Sequence, residues 1–91
     1  MAVTARIVRV KYEGGDAGPF FATSPDLRGL LVAKRTMDEL VEAVPQAIRE
    51  LYAADGIDMI VERAPYDDPE FFRWIALPVE IARQRAGFAA R

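Results

Sequence analysis

The segment from Phe20 to Asp55 constrains the fold more than any other part of the chain. Pro25 holds its own φ at about −65° and favours an extended conformation for the preceding residue, so the apolar run in front of it must end in a turn. Gly29 then supplies a residue that readily takes a positive φ. The pattern predicts two short strands, Phe20–Ser24 and Leu30–Lys34, connected by a tight turn.

A helix start signal follows the second strand. Thr36 and Glu39 have the spacing of a capping box, in which the threonine hydroxyl accepts the Glu39 amide and the glutamate side chain reaches back to cap Thr36. We predict a helix from Met37 to about Ala54, ended by Gly56 in a left-handed conformation. Apolar residues at three- and four-residue spacing indicate one stripe that packs across the sheet: Met37, Leu40, Val41, Val44, Ile48, Leu51 and Tyr52.

Pro45 lies inside this helix but outside the apolar stripe. It has no amide hydrogen to donate to the Val41 carbonyl, which costs about 3 kcal/mol in a regular helix. We therefore expect the helix to bend at Pro45. The simpler interpretation is a bend that wraps the helix around a twisted sheet, and a functional kink is the alternative.

The order and spacing of these signals resemble the HicB-like antitoxin domain, a partial RNase H-like fold. The family pattern is an aromatic or apolar strand, Pro-Asp-Leu-Pro-Gly, a short strand, and Thr-x-x-Glu at the start of a helix with an Ala-Ile pair. Arg28 stands where the family usually has proline. The proline inside the helix, Pro45, resembles a divergent branch of the family without a characterised function. The resemblance covers residues 3–55 at most. The matching residues are Phe20, Phe21, Ala22, Pro25, Asp26, Leu27, Gly29, Thr36, Glu39, Ala47 and Ile48.

The resemblance implies a binding protein that neutralises a small, basic, RNA-cleaving toxin by covering its active site. It also implies a homodimer or higher homo-oligomer, because HicB-like proteins are commonly dimers or tetramers. Typical relatives add a C-terminal DNA-binding domain, but residues 71–91 are too short for a helix-turn-helix and Pro78 suits a ribbon-helix-helix poorly. We therefore do not expect autorepression. The alternative function is a free-standing homo-oligomeric structural or regulatory domain without a toxin.

The remaining segments complete the predicted sheet. Val3–Tyr12 is rich in β-branched residues and predicts a strand with Val8, Val10 and Tyr12 on one face. The glycine-rich residues 13–19 predict a hairpin connection, and a phosphate cradle is disfavoured because neither a lysine nor a helix start follows them. Ile57–Glu62 predicts a further short strand.

These elements predict an α+β fold with one helix on one face of a three- to four-stranded antiparallel sheet, in the order β-β-β-α-β. We expect a single domain over residues 1–91, with a core at 3–62 and an apolar C-terminal extension at 63–91. The extension has two interpretations. Alternation of Leu77, Val79 and Ile81 favours a strand, and a helix from Pro78 to Gly87 is the alternative.

The composition limits the chemistry of the chain. It has no cysteine, no histidine and a net charge of −2, which excludes disulfides, zinc fingers and nucleophile–histidine pairs and makes a nucleic-acid partner unexpected. We predict no enzymatic activity, no cofactor and no metal. Because Arg6 and Arg9 interrupt Met1–Val10, that segment is neither a signal peptide nor a membrane span, and a cytoplasmic location is expected.

Several charged residues are candidate sites. Asp67, Asp68 and Glu70 could hold a hard cation, although a solvated turn is the favoured interpretation. Asp26 is interpreted as a turn residue whose carboxylate bonds local amides. Two basic clusters could contact phosphate but are ordinary on a globular surface: Arg28, Lys34 and Arg35, and Arg83, Arg85 and Arg91.

Both faces of the predicted sheet carry large apolar side chains. Phe20 and Phe21 point in opposite directions, as do Leu30 and Leu31, and one helix covers only one face. We expect the C-terminal segment to cover the second face, either by folding back within its own chain or by exchange between chains, and the resemblance to HicB-like oligomers favours exchange in a homodimer. The predicted partner or oligomer interface comprises Phe20, Phe21, Leu30, Leu31, Phe71, Phe72, Trp74 and Ile75.

Overall fold

Short apolar runs, separated by turns and by one long amphipathic segment, give an α+β fold. The computed structural model describes residues 5–66 and 70–80. Its elements are β1 (Arg6–Gly14), β2 (Phe20–Thr23), β3 (Leu31–Lys34), α1 (Met37–Ala54), β4 (Met59–Arg63) and β5 (Phe72–Pro78). The strands are antiparallel and form one sheet in the order β3-β2-β1-β5-β4.

The first three strands form the predicted meander. Along β1, Val8 and Val10 are buried and Tyr12 is half-buried, whereas Ile7 and Lys11 between them are exposed. The period of two therefore places Val8, Val10 and Tyr12 on the core face, as predicted. Residues 15–19 connect β1 to β2 as a hairpin.

Helix α1 has the predicted start and end. Thr36 Oγ1 accepts the Glu39 amide (3.2 Å) and donates to Glu39 Oε1 (3.2 Å), so the reciprocal bond of the capping box joins the two side chains rather than the glutamate and the Thr36 amide. At the other end Gly56 has φ +77°, and the Ile57 amide donates to the Tyr52 carbonyl (3.0 Å), a Schellman ending. The helix continues through Pro45. No helix in the described part of the chain is both long and apolar enough to cross a membrane.

The core lies between α1 and one face of the sheet. The buried residues of α1 are four members of the predicted stripe, and Met37, Val41 and Leu51 pack at its margin. Burying one such side chain fully contributes about 1.5–3 kcal/mol. The buried cluster comprises Val8, Val10, Ala22, Leu30, Leu40, Val44, Ile48, Tyr52, Met59, Trp74 and Ala76.

β5 corrects the predicted division into a core and an extension. It lies between β1 and β4, with Val8 opposite Trp74 and Val61 opposite Ala76, so residues after 62 supply a central strand, the fifth of the sheet. Residues 72–78 therefore belong to the sheet and do not cover its second face. A central position also explains its heavy apolar content, since both of its edges are paired.

The end of β5 settles part of the C-terminal alternative. The strand interpretation is correct for Phe72–Pro78 but wrong at Val79, since Val79 and Glu80 are helical; the rest of the predicted helix to Gly87 lies outside the described residues.

The hydrogen bonds between β4 and β5 involve the even-numbered residues on the β4 side. The Val79 amide donates to the Asp58 carbonyl (3.0 Å), and the Ala64 amide donates to the Arg73 carbonyl (3.0 Å). Pro78, opposite Met59, occupies a position that needs no ladder amide.

Candidate partner-binding surface

The sheet has one face covered by α1 and one face that no described element covers; we call the second the open face. Residues alternate between the faces along each strand, so those out of phase with the core residues lie on the open face. Phe71, which precedes β5, has the same phase. The open face carries Ile7, Arg9, Lys11, Phe21, Thr23, Leu31, Ala33, Ile60, Glu62, Phe71, Arg73, Ile75 and Leu77.

Four large apolar side chains are exposed on the open face. Leu31 is 68% exposed, Ile7 46%, Phe21 38% and Ile60 37%. Phe21 and Leu31 lie on β2 and β3, whereas Ile7 lies opposite Ile75 and Ile60 opposite Leu77. The open face therefore presents two apolar groups, one at each side of the sheet.

Arginine and aromatic side chains separate these two groups. Arg9 and Arg73 are directly opposite each other on β1 and β5. The Arg9 guanidinium lies 5.3 Å from the centre of the Phe71 ring, and that of Arg73 lies 5.1 Å from the centre of the Tyr66 ring. Both distances are within the range of cation–π attraction. The middle of the open face thus holds its cations against aromatic rings.

Asp26 binds β1 rather than its own turn. Its carboxylate accepts the Arg9 backbone amide (2.9 Å), Arg9 Nε (2.8 Å) and Arg9 Nη2 (2.8 Å). The local amides of Asp26 and Leu27 donate instead to Ser24 Oγ, at 3.1 and 3.3 Å. The prediction that the Asp26 carboxylate bonds local amides is therefore wrong.

The ladder between β1 and β2 explains this contact. Lys11 lies opposite Thr23, so continuing the register would place Arg9 opposite Pro25 beyond the end of β2. The chain turns away there, and Asp26 accepts the Arg9 amide that a continued β2 would have bonded. The side-chain hydrogen bond from Arg9 is the main reason that the pKa of Asp26 lies below its ordinary value; burial opposes it, and the Arg9 backbone amide and positive charge lower the pKa further.

The structure divides the predicted interface residues between the two faces. Phe21 and Leu31 are exposed, and Phe71 and Ile75 are half-buried on the open face. Leu30 and Trp74 are buried in the core, and Phe20 packs against it, so these three do not line the open face. Phe72 lies on the helix side, where its ring centre is 4.6 Å from that of Tyr12 and 4.7 Å from the Arg63 guanidinium.

The motif residues occupy their predicted places. Gly29 has φ +91° in the turn before β3, and Thr36 caps α1. Pro25 and Asp26 lie in the turn that ends β2, although Asp26 has the long-range partner described above.

The charged clusters give weaker candidate sites. Glu70 is exposed, Asp67 and Asp68 lie outside the described residues, and within residues 5–66 and 70–80 no group of three carboxylates is placed to hold a metal ion. Lys34 and Arg35 line separate recesses. Arg83, Arg85 and Arg91 lie outside the described part of the chain.

The predicted interface omits Ile7 and Ile60, which the structure places on the open face. The signal for Ile7 was present, since the alternation of β1 already separates it from Val8 and Val10. Ile60 was less visible because Met59, Ile60 and Val61 are consecutive apolar residues, so the alternation of β4 cannot be recognised from the sequence.

Comparison with known proteins gives one match. The family model described as a domain of unknown function (DUF1902) matches residues 5–63, which span β1 to β4 and include α1 but not β5. No curated protein matches the chain, and no solved structure matches it.

Proposed function

The chain belongs to the DUF1902 family, and we propose that it is a HicB-like antitoxin-type binding protein that neutralises a small, basic, RNA-cleaving toxin by covering its active site. The open face supports this proposal more than any other observation. In the described part of the chain, four of the five exposed large apolar side chains lie on this one face, in the two groups described above. Grouped apolar surface of this kind is typical of protein–protein interfaces.

The composition of the open face suits recognition of a folded protein. Apolar groups at both sides of the sheet supply area, and the arginine–aromatic pairs between them combine planar contacts with hydrogen-bond donors. Arginine and aromatic residues are enriched where interfaces gain most of their binding energy. A partner that spans the sheet would therefore contact both apolar groups at once.

The charge distribution supports a basic partner. Four carboxylates and one arginine lie on α1, and the whole chain has a net charge of −2. Helix α1 lies on the side of the sheet away from the open face, so these carboxylates accelerate association with a basic protein through the electric field of the whole chain and not by contacts within the open face. The proposal assigns no catalytic role to this chain.

Capture from the native host tests the proposed function. The purified chain should recover a small basic protein and inhibit its RNase activity at equimolar ratio. Replacing Phe21 and Leu31 together by serine should raise the concentration needed for inhibition by about tenfold or more, because both large side chains of one apolar group are lost. Ala54→Ser, at an exposed position on the helix, is the matched control. Recovery of no small basic protein, or of one whose RNase activity is unaffected, would refute the proposal.

The second candidate function is a free-standing homo-oligomeric structural or regulatory domain. The same exposed apolar groups favour it, because a second copy of the chain could cover the open face. Light scattering of the purified 10.1 kDa chain at micromolar concentration tests this function. A dimer that the Phe21 and Leu31 replacements dissociate, in a genome with no adjacent toxin-sized reading frame, would favour the homo-oligomer over the antitoxin.

A further inference from the structure

A groove runs between α1 and the outer edge of β4; we call it the β4 groove. It is a recess of about 450 Å³, and it adjoins a second recess of about 420 Å³, with Gln46 and Arg49 common to both. The first is lined by Glu42, Pro45, Gln46, Arg49, Ile60 and Val61, and the second by Gln46, Arg49, Glu50, Ala53 and Asp58. The groove lies at a sheet edge, outside the open face except for Ile60.

The backbone of β4 faces this groove with hydrogen-bonding groups. β4 is the last strand in the order of the sheet. Its even-numbered residues bond β5, as the Ala64–Arg73 and Val79–Asp58 bonds show, so the amide and carbonyl of Val61 point away from β5. No hydrogen bond joins Val61 to the described residues on that side. An extended segment laid along β4 would find these groups in the geometry of a sheet ladder.

We propose that the β4 groove binds an extended, basic segment of a partner protein, which adds to β4 as a sixth strand. This inference deepens the proposed function and rests on it for the basic character of the partner. Glu42 and Glu50 on α1 and Asp58 before β4 line the two recesses, against Arg49 as their one lining cation. Lysine or arginine side chains of an added strand would meet these carboxylates.

The dimensions of the groove fit such a segment. Ala53 follows Glu42 by eleven residues of helix, which corresponds to about 16 Å at 1.5 Å per residue. A strand of five residues spans about the same length at roughly 3.3 Å per residue. Ile60 lies on the open face and Val61 on the helix side, so the alternate apolar side chains of an added strand would contact Ile60 while its basic side chains point towards α1.

A second copy of this chain is a poorer occupant. Pairing of two β4 strands about a two-fold axis at Val61 would bring the carboxylates beside each groove towards those of the other copy. Like charges placed directly opposite each other destabilise an association. The distribution of carboxylates therefore favours a basic segment over self-pairing.

A peptide titration tests the β4 groove without the natural partner. The probes are two end-blocked eight-residue peptides, one alternating lysine and valine and one alternating glutamate and valine. Nitrogen-15 NMR of the full chain should show shifts at Val61, Gln46 and Arg49 with the lysine peptide, and these should weaken with salt. The glutamate peptide should bind at least about tenfold more weakly. Absence of lysine-peptide binding, equal binding of both peptides, or shifts confined to β3 would overturn the proposal.

Matched proline variants locate the strand pairing. Val61→Pro removes an amide that points away from β5, so it deletes the donor for an added strand while leaving the β4–β5 ladder bonds in place. Ala33→Pro does the same at the other edge of the sheet, because Phe21 opposite it bonds β1. We expect Val61→Pro to weaken the lysine peptide about tenfold and Ala33→Pro to leave it unchanged.

A charge variant provides a test that does not depend on the folding of the Val61→Pro variant. Glu42→Lys leaves β4 intact and should weaken the lysine peptide while strengthening the glutamate peptide. A Glu42→Lys chain that binds the lysine peptide as the wild type does would contradict the proposal.

Failure of this inference is distinguishable from failure of the proposed function. The β4 groove alone would be refuted if a captured toxin binds the Val61→Pro variant as tightly as the wild type and if, in the wild-type complex, the Val61 amide still exchanges its hydrogen with water. Selective lysine-peptide binding without any toxin in the host would refute the proposed function alone.

Discussion

The two faces of the sheet are built from the same five strands, yet they differ in almost every physical respect. The face under α1 is apolar and buried, with Val8, Val10 and Trp74 packed against the helix. The open face alternates with it residue by residue and mixes exposed Leu31 and Ile7 with cations. A period of two therefore lets one set of strands stabilise the fold with one face and present a recognition surface with the other.

The largest expected difference between the faces is in core packing. Ile48→Ala, at a fully buried position on α1, should lower the free energy of unfolding by about 2–5 kcal/mol, because it leaves a cavity. Ile7→Ala on the open face removes the same atoms from a half-exposed side chain and should cost under about 1 kcal/mol. Urea denaturation of both variants measures the two values, and equal losses would show that something covers the open face in solution.

A smaller effect is expected from the polar contact at the margin of the open face. Asp26→Ala removes all three hydrogen bonds to Arg9 and leaves its backbone amide without the carboxylate, so we expect a loss on the order of 1–2 kcal/mol. Asp16→Ala, at an exposed position in the β1–β2 connection, is the control. If both aspartate variants unfold at the same urea concentration, the Arg9–Asp26 contact does not stabilise the fold.

The same contact gives the open face a pH dependence. Because the pKa of Asp26 is lowered in the folded state, its ionised form stabilises the fold, fully above the unfolded-state pKa near 4 and progressively less as the pH falls through the lower folded value. The midpoint temperature of thermal unfolding should therefore fall more steeply below about pH 4 for the wild type than for the Asp26→Ala variant. Parallel curves for the two proteins would mean that the carboxylate is not held by Arg9 in solution.

The smallest expected change in stability lies at the most exposed apolar residue. Leu31→Ser should alter the free energy of unfolding by less than about 0.5 kcal/mol, since most of that side chain already contacts water. Calorimetric melting measures this change. A loss as large as that of Ile48→Ala would show that Leu31 is covered by another copy of the chain at the concentration used.

Local signals predicted much of this fold. The capping box at Thr36, the positive φ at Gly29 and Gly56, and the alternation of Val8 and Val10 each act over a few residues. Each is therefore visible in a short stretch of sequence. The same alternation separated Phe20 from Phe21 and Leu30 from Leu31, so the existence of an open face was predictable.

Contacts between distant residues were not predictable in the same way. The carboxylate of Asp26 satisfies an amide seventeen residues earlier, and no local pattern distinguishes that partner from the amides of its own turn. The position of β5 between β1 and β4 depends on which strand edges have free hydrogen-bonding groups after the other strands have paired, and the sequence of β5 itself does not show this. Trp74 and Leu30 are buried in the core only because of that tertiary arrangement. No local pattern shows this burial, and the sequence therefore predicts both residues at an interface.

The central position of β5 has a consequence for the order in which the chain folds. Among the described strands, β4 pairs with β5 and with no other, and β1 needs β5 to complete the bonds along its first half. During synthesis, residues 6–63 therefore emerge before the strand that joins β1 to β4, and a chain cut at residue 63 lacks that strand altogether. Such pairing of distant segments requires closure of a long loop, which slows folding. Pairing of residues 72–78 with β1 and β4 is thus the last step of folding during synthesis. Ribosome-bound chains should become protease-resistant only after β5 has left the ribosome.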